Sequence, residues 1–179
     1  MPSRYRVAAG WALGILVFTI ARPTLPAFLV GFPLAVIGEA VRLWASGHIE
    51  KTKTLATGGP YAHTRNPLYV GSLLIAMGVA VASASVGVVI AVAAYFLAFY
   101  PSVMSEEAAF LRVRFPEEYP AWAAAVPSLW PRLLPGGPRA SRFEWARIQR
   151  NREWRTAAAL PLLAALLYLL PHARRWLGV

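Results

Sequence analysis

Five stretches of the chain are almost wholly apolar and approach the span of a bilayer's hydrocarbon core, which takes about 20 helical residues within a range near 17–25. They cover roughly residues 7–22, 25–45, 67–84, 86–104 and 156–172. The first run follows Arg4 and Arg6 in the manner of a signal peptide, but no clean small-x-small cleavage site follows Ala21-Arg22-Pro23, so a retained helix is expected. Arg22, Pro23 and Pro26 leave room only for a tight reversal, which makes the first two runs an antiparallel hairpin. Ser83-Ala84-Ser85, with Gly87 just beyond, joins the third and fourth runs in the same way. The pattern predicts an all-α integral membrane protein of about five transmembrane helices.

A Pro/Gly-rich linker occupies residues 131–142, and residues 143–155 read as one basic, aromatic helix lying at the membrane surface. That helix serves either to anchor the last span or to contact lipid headgroups. The chain therefore divides into a core, residues 1–131, and an extension, residues 132–179, that carries the linker, the interfacial helix and the final span. No internal repeat or low-complexity tract is present.

Eighteen Lys and Arg stand against eight acids, for a net charge of +10. In a soluble protein this would point to nucleic acid; beside long apolar runs it is orientation charge, and no nucleic-acid partner is expected. With alternating spans, the N-terminus, the 46–66 loop and the 105–155 region together hold fourteen basic residues, and the opposite side holds Arg22, Arg174 and Arg175. The excess places the N-terminus and both long loops in the cytoplasm.

Charges inside apolar runs are costly and tend to be paired or functional. Glu39 and Arg42 lie three residues apart in the second run, on one helical face. Either they pair with each other, Arg42 reaching toward the cytoplasmic headgroups, or one faces a cavity and holds a polar ligand; both are substrate-site candidates. In the following loop Gly58-Gly59-Pro60 is a turn signal, and Asn66-Pro67 marks a helix start with Asn66 as N-cap and Pro67 at the first helical position. The free N–H groups of that end, beside Arg65, favour an anionic or carboxylate group. Ser105-Glu106-Glu107 follows the fourth run. If helix continues there, the residues three and four beyond each acid are Ala109, Phe110 and Leu111, so neither acid has a local basic partner. The two carboxylates are either solvated at the cytoplasmic boundary, or one binds a cationic or hydroxyl-rich ligand.

His48, His63 and His172 are dispersed and the chain has no Cys, so no metal site is expected. All eight acids are Glu, which removes the Asp-containing phosphoryl-transfer and calcium-loop patterns. Nucleophile-elbow, Walker A and dinucleotide Gly-rich motifs are absent as well.

Taken in order, Gly59-Pro60-Tyr61, Arg65-Asn66-Pro67-x-Tyr69-x-Gly71, Glu106-Glu107, and Phe115-x-Glu117-Glu118-Tyr119 with Val126-Pro127 and Pro131 resemble the isoprenylcysteine carboxyl methyltransferase and phospholipid methyltransferase group of membrane enzymes. The resemblance spans roughly residues 38–131. It implies a methyltransferase core with a cytoplasmic pocket, formed by loops and helix ends, for S-adenosyl-L-methionine, and a lipid-borne or amphipathic methyl acceptor that enters laterally from the bilayer. By position it assigns Lys53, Thr54, Leu55, Ala56, Tyr61, Asn66, Pro67, Leu68, Tyr69 and Glu107 to the cofactor. A helix start with Arg65 suits the methionine carboxylate, Glu107 suits the ammonium or ribose, and Tyr61 or Tyr69 offers an aromatic face for adenine or sulfonium. The prenylcysteine enzymes usually have His where this chain has Asn66, and Arg where it has Val103, so the chain is closer to a bacterial branch with Arg-Asn-Pro-x-Tyr.

Methyl transfer from a sulfonium needs alignment and exclusion of water more than acid–base help. Arg65, Asn66 and Glu106 are the catalytic candidates. Asn66 is limited to hydrogen bonding or capping, and Glu106, Glu39 and Tyr69 are the polar groups available if the acceptor must lose a proton. Two other readings stay open: an NADPH-dependent membrane reductase of the sterol-reductase-like fold, and a non-enzymatic membrane subunit.

Overall fold

A computed structural model describes residues 3–50, 54–137 and 141–177. In chain order the elements are α1 (Ser3–Ile20), α2 (Leu25–Ser46), a 3-10 turn (Gly59–Ala62), α3 (Pro67–Ala82), α4 (Val86–Arg114), α5 (Glu118–Ala125), α6 (Trp145–Arg150) and α7 (Trp154–Leu177). No strand occurs among the described residues. The protein is an all-α membrane protein, as the apolar runs predict. Among the described residues three helices are long and apolar enough to cross a bilayer, within Leu25–Ser46, Val86–Arg114 and Trp154–Trp176, and α1 and α3 are shorter apolar helices.

Helix ends follow local chemistry. Thr24 stands before α2 and its Oγ1 accepts the Ala27 N–H at 3.4 Å, an N-cap bond. α3 begins at Pro67, where a missing N–H costs nothing. α4 has 29 residues and does not stop where its apolar run ends: Ser105, Glu106 and Glu107 continue it to Arg114, with Arg112 and Arg114 favourably placed in its last turn.

The chain packs as two compact units. The first comprises Met1–Ile37, Leu73–Ser102 and Ala158–Val179. Its interior holds Val17, Ala21, Ala80, Val88, Val92 and Leu167, while Trp11, Ile15, Leu29, Ile90 and Leu97 are exposed, as lipid-facing side chains are. In lipid there is little hydrophobic drive between helices, so close backbone contact at small residues does the work. α2 and α3 meet in this way, because a Cβ on Gly78 would stand 2.6 Å from both the Ala35 nitrogen and the Gly31 carbonyl oxygen. The loops at one end are joined by the Arg22 N–H donating to the Ser83 carbonyl at 2.8 Å.

The second unit comprises Gly38–Ser72 and Val103–Ala157. Its interior is aromatic: Tyr61, Phe115, Tyr119 and Trp122 pack with Ala45, Leu55 and Val126. Residues 143–155 are not one surface helix. α6 ends after six residues, Arg152 adopts φ 58°, and α7 starts anew at Trp154. The break is made by tertiary bonds, since the Asn151 side chain donates to the Ser46 and Ile49 carbonyls at 3.0 and 3.1 Å, satisfying the end of α2. Arg147 is buried, donating to Glu144 at 2.8 Å and to Glu50 at 3.3 Å.

Gly78→Ala is expected to cost about 1–3 kcal/mol through overpacking, read as a lowered Tm of the detergent-solubilised protein. Gly14→Ala, which meets nothing within 4 Å inside α1, does not lower the Tm and raises it slightly, because alanine is the better helix former.

Candidate functional site

The second unit encloses a cavity of about 320 Å³, within the range of small-molecule sites. Its walls come from the loop after α2 (Ile49, Glu50, Thr54, Leu55, Ala56), from Tyr61, Arg65 and Leu68, and from the extension of α4 past its apolar run and beyond (Glu107, Phe110, Leu111, Phe115, Trp122). Of the residues that the sequence assigns to a cofactor or to catalysis, Thr54, Leu55, Ala56, Tyr61, Arg65, Leu68 and Glu107 meet at this space.

The Tyr61 loop is shaped by its glycines and held by its carbonyls. Gly59 has φ 57°, and a Cβ there would strike the His48 ring, so glycine fits on both counts. The Trp122 indole, 1% exposed, donates to the Tyr61 carbonyl at 3.0 Å. The Arg65 N–H donates to Pro127 at 2.9 Å, and the Arg132 and Gly136 N–H groups donate to His63 and Ala62 at 3.0 and 2.8 Å. Thr64 Oγ1 donates to the Ser128 and Leu129 carbonyls at 3.1 and 3.0 Å. A segment without regular structure thus satisfies its polar groups against the chain that follows α5.

Three charged residues reach the cavity wall, of which Glu50 pairs with Arg147 at 3.3 Å, leaving Arg65 and Glu107. Glu107 accepts the Tyr69 hydroxyl at 2.8 Å, which fixes the carboxylate and accounts for Tyr69, itself off the wall. Arg65 donates to the Tyr119 hydroxyl at 3.3 Å, and its buried Nε has no acceptor among the described residues. The Tyr61 phenol is pushed well above its usual pKa, first by burial, then by the negative charge of Glu107, with Tyr69 and Glu153 adding to it and Arg42 opposing. It therefore stays a neutral hydroxyl at any physiological pH.

Other expected residues stand elsewhere. Pro67 is buried as the first residue of α3. Asn66 does not cap α3 with its side chain; the amide turns to the Ser128 carbonyl at 2.9 Å, and the Asn66 backbone carbonyl accepts from Tyr69 and Val70 at 3.0 and 3.1 Å. Asn66 lines a much smaller space beside Arg65, Glu107 and Ser128. Glu106 is exposed and lines neither space. Lys53 lies outside the described residues.

Glu39 and Arg42 are also off the wall, and their mutual pairing is secondary. They approach to 3.9 Å, but Arg42 makes shorter contacts of 2.7 and 2.5 Å with Glu153, and also donates to the Ser72 hydroxyl and to Leu68. Glu153 comes from the turn before α7, so no local spacing reveals it. Both Glu39 oxygens are buried without a hydrogen-bond partner among the described residues. The wall residues Phe110, Leu111, Phe115 and Trp122 were not singled out from sequence as cofactor contacts. The signal for the first three was the helical repeat from Glu107, which puts positions three, four and eight beyond it on one face.

The phospholipid methyltransferase family model matches residues 26–118, just over half of the chain and nearly every cavity-lining position. The chain belongs to the phospholipid methyltransferase family. Among proteins similar to this phospholipid methyltransferase family member is the cobalt-zinc-cadmium resistance protein CzcN of Cupriavidus metallidurans, 38% identical over 107 residues, covering 59% of this chain and 48% of that protein. The nickel-cobalt-cadmium resistance protein NccN of Alcaligenes xylosoxydans xylosoxydans is 33% identical over 107 residues with the same coverage. The chain thus spans about half the length of these curated relatives. No solved structure matches it at comparable significance.

Breaking a buried ion pair by deleting one partner typically costs about 3–5 kcal/mol, so Arg42→Ala and Glu153→Ala should each lower stability on that order, and the double variant by much less than their sum. A double-mutant cycle of Arg42 with Glu39, read by the same unfolding measurement, should give a clearly smaller coupling.

Proposed function

We propose that the protein transfers a methyl group from S-adenosyl-L-methionine to a lipid-borne or amphipathic acceptor, with the cofactor taken up from the cytoplasmic side. The observation that carries this reading is the presence of Arg65 and Glu107 on one largely apolar cavity whose other charged wall residue, Glu50, pairs with Arg147. The amino-acid end of the cofactor bears a carboxylate and an ammonium, and Arg65 and Glu107 supply one complement for each. Arg65 has donors to offer, and Tyr69 holds Glu107 in place. Leu55, Phe110, Leu111, Phe115 and Trp122 give an apolar and aromatic surface suited to adenine. Tyr61, neutral and buried, adds an aromatic face beside them.

When bound, the cofactor supplies a methyl group on a sulfonium, already activated toward transfer. The chain then has to orient and to exclude water. Tyr69 and Trp122 orient Glu107 and the Tyr61 loop, and the apolar wall keeps the space dry. Glu106 stands outside the wall, so we assign no general base from it; alignment is the main contribution. Asn66 acts by fastening the start of α3 to Ser128. The acceptor reaches the site laterally from the bilayer.

The relatives are named for cobalt, zinc, cadmium and nickel resistance. Among the described residues no three His, Cys, Asp or Glu side chains gather in a ligating group. We therefore propose that any part in metal tolerance runs through methylation of a membrane component.

Purified protein should bind S-adenosylhomocysteine at micromolar strength, and Glu107→Ala should abolish that binding. Tyr69→Phe should weaken it by about fivefold, the worth of one ordinary hydrogen bond. Labelled-methyl transfer to a total lipid extract should yield a labelled lipid. Absence of S-adenosylhomocysteine binding in a well-folded preparation, or stabilisation by NADPH instead, would refute the reading.

A further inference from the structure

The first unit contains five arginines and no acidic side chain: all eight glutamates fall within Gly38–Ser72 and Val103–Ala157. Arg4 and Arg6 belong to the start of α1, and Arg22, Arg174 and Arg175 to the opposite end of that unit, where the 21–24 and 83–85 loops meet the last turns of α7. The three cations there have no carboxylate of their own unit to pair with. Arg174 is neutralised by dipoles, its guanidinium donating to the Phe18, Thr19 and Ala21 carbonyls at 2.8, 2.8 and 2.5 Å at the end of α1. Arg175 is different. It is exposed, and among the described residues its bond is a 3.3 Å contact from Nε to the Pro171 carbonyl of its own helix.

Arg175 lines a cavity of about 300 Å³ between the start of α2 and the end of α7. Thr24 and His172 share its polar rim, and Leu25, Phe28 and Tyr168 form its apolar wall. Tyr168, His172 and Arg175 recur at helical spacing on one face of α7, and the Phe28 and Tyr168 rings approach to 5.6 Å. Phe28 also borders a separate apolar crevice of only about 10 Å³ between α2, α3 and α7, too small to admit a chain. Cation and donors at the mouth of the larger space, set against the apolar wall of Leu25, Phe28 and Tyr168, match a phosphate-bearing headgroup followed by the first part of an acyl chain. Trp176, 93% exposed beside Arg175, sets this mouth at the membrane–water boundary.

We propose that this groove binds an anionic phospholipid, with Arg175 and His172 at the headgroup phosphate and the acyl chain along Phe28. The site lies wholly in the first unit and does not depend on the methyltransferase reading. A guanidinium matches a phosphate in charge and in fork geometry, and an uncompensated arginine at a lipid surface attracts negative headgroups.

The test uses the full chain in a neutral detergent, titrated with short-chain phosphatidylglycerol, with phosphatidylcholine of the same chains, and with inorganic phosphate, and read by thermal stabilisation. Phosphatidylglycerol should stabilise at concentrations where the other two do not. Arg175→Gln should weaken its binding by about fivefold, the worth of one basic residue at a lipid surface. Arg175→Lys should recover the part of the loss that is owed to charge but not the part owed to the fork, and Arg6→Gln, at the other end, should have no effect. If Arg175→Gln does not fold, Phe28→Ala provides the second arm and should weaken phosphatidylglycerol binding without changing the preference over phosphatidylcholine. Equal stabilisation by phosphatidylcholine would overturn the proposal in favour of a plain apolar groove, and equal stabilisation by phosphate would reduce it to an ion site. Unaltered phosphatidylglycerol binding in both variants would also overturn it.

Discussion

A loop without regular structure can be kept in place only if its carbonyls and N–H groups find partners, and the larger cavity depends on that condition. Between Gly58 and Asn66 the chain makes a single 3-10 turn, yet its backbone is bonded at Tyr61, Ala62, His63 and Arg65 to Trp122, Gly136, Arg132 and Pro127. Tyr61 and Arg65 reach the wall because of these bonds. Were the segment after α5 to peel away, three backbone groups of the loop, at Ala62, His63 and Arg65, would lose their partners beside an aromatic interior, each at a cost on the order of 1–3 kcal/mol. The aromatic packing and the backbone bonding are thus one device: Trp122 fills the interior with its ring and holds the loop with its indole N–H.

Buried charge supplies the second tie. Arg42 is covered by its neighbours, and Gly71 is the reason it fits, since a Cβ there would meet the Arg42 side chain at 2.5 Å. The guanidinium then joins α2 to the start of α3 through Leu68 and Ser72, and to the turn before α7 through Glu153. Leu68 lines the cavity, so this cation is one route by which the extension after residue 132 acts on the wall, beside Asn151 at Ile49 and Arg147 at Glu50. Glu39 stands 3.9 Å from Arg42 and makes no hydrogen bond among the described residues. Two carboxyl groups thus face one guanidinium, and the geometry resolves the competition in favour of Glu153.

The helices were legible because a bilayer demands long apolar runs and the chain has them, and the start of α3 was legible because proline at a first helical position has a local cause. Glu107, Tyr61 and Leu55 were found through ordered motifs rather than through any local physics of their own. What escaped the sequence reading shares one property: each feature is decided by a partner far away in the chain. The Asn66 side chain leaves its own helix for Ser128. Glu153 replaces Glu39 as the partner of Arg42. The helix expected over 143–155 breaks because Asn151 is drawn to the end of α2; nothing in its composition, free of Pro and Gly, announces a stop. The length of α4 was left open for the opposite reason, since a bilayer limits an apolar run but does not end a helix whose next residues are good helix formers.

The family match ends at residue 118, and this boundary divides the site unequally. Arg65, Tyr61, Tyr69 and Glu107, which carry charge and hydroxyl groups, lie inside it. Trp122, Pro127, Ser128 and Arg132, which close the loop over the cavity, and Glu153, which braces α3 from the far side, lie outside it. Charged groups at a shared site must keep their positions for a shared chemistry, whereas the segments that set the volume and stiffness of the space need only satisfy the backbone. A chain can therefore retain the polar pair and vary what surrounds it. Differences in acceptor among members of such a family are then expected to originate in the segments that follow α4, where a change of packing alters the space without touching Arg65 or Glu107.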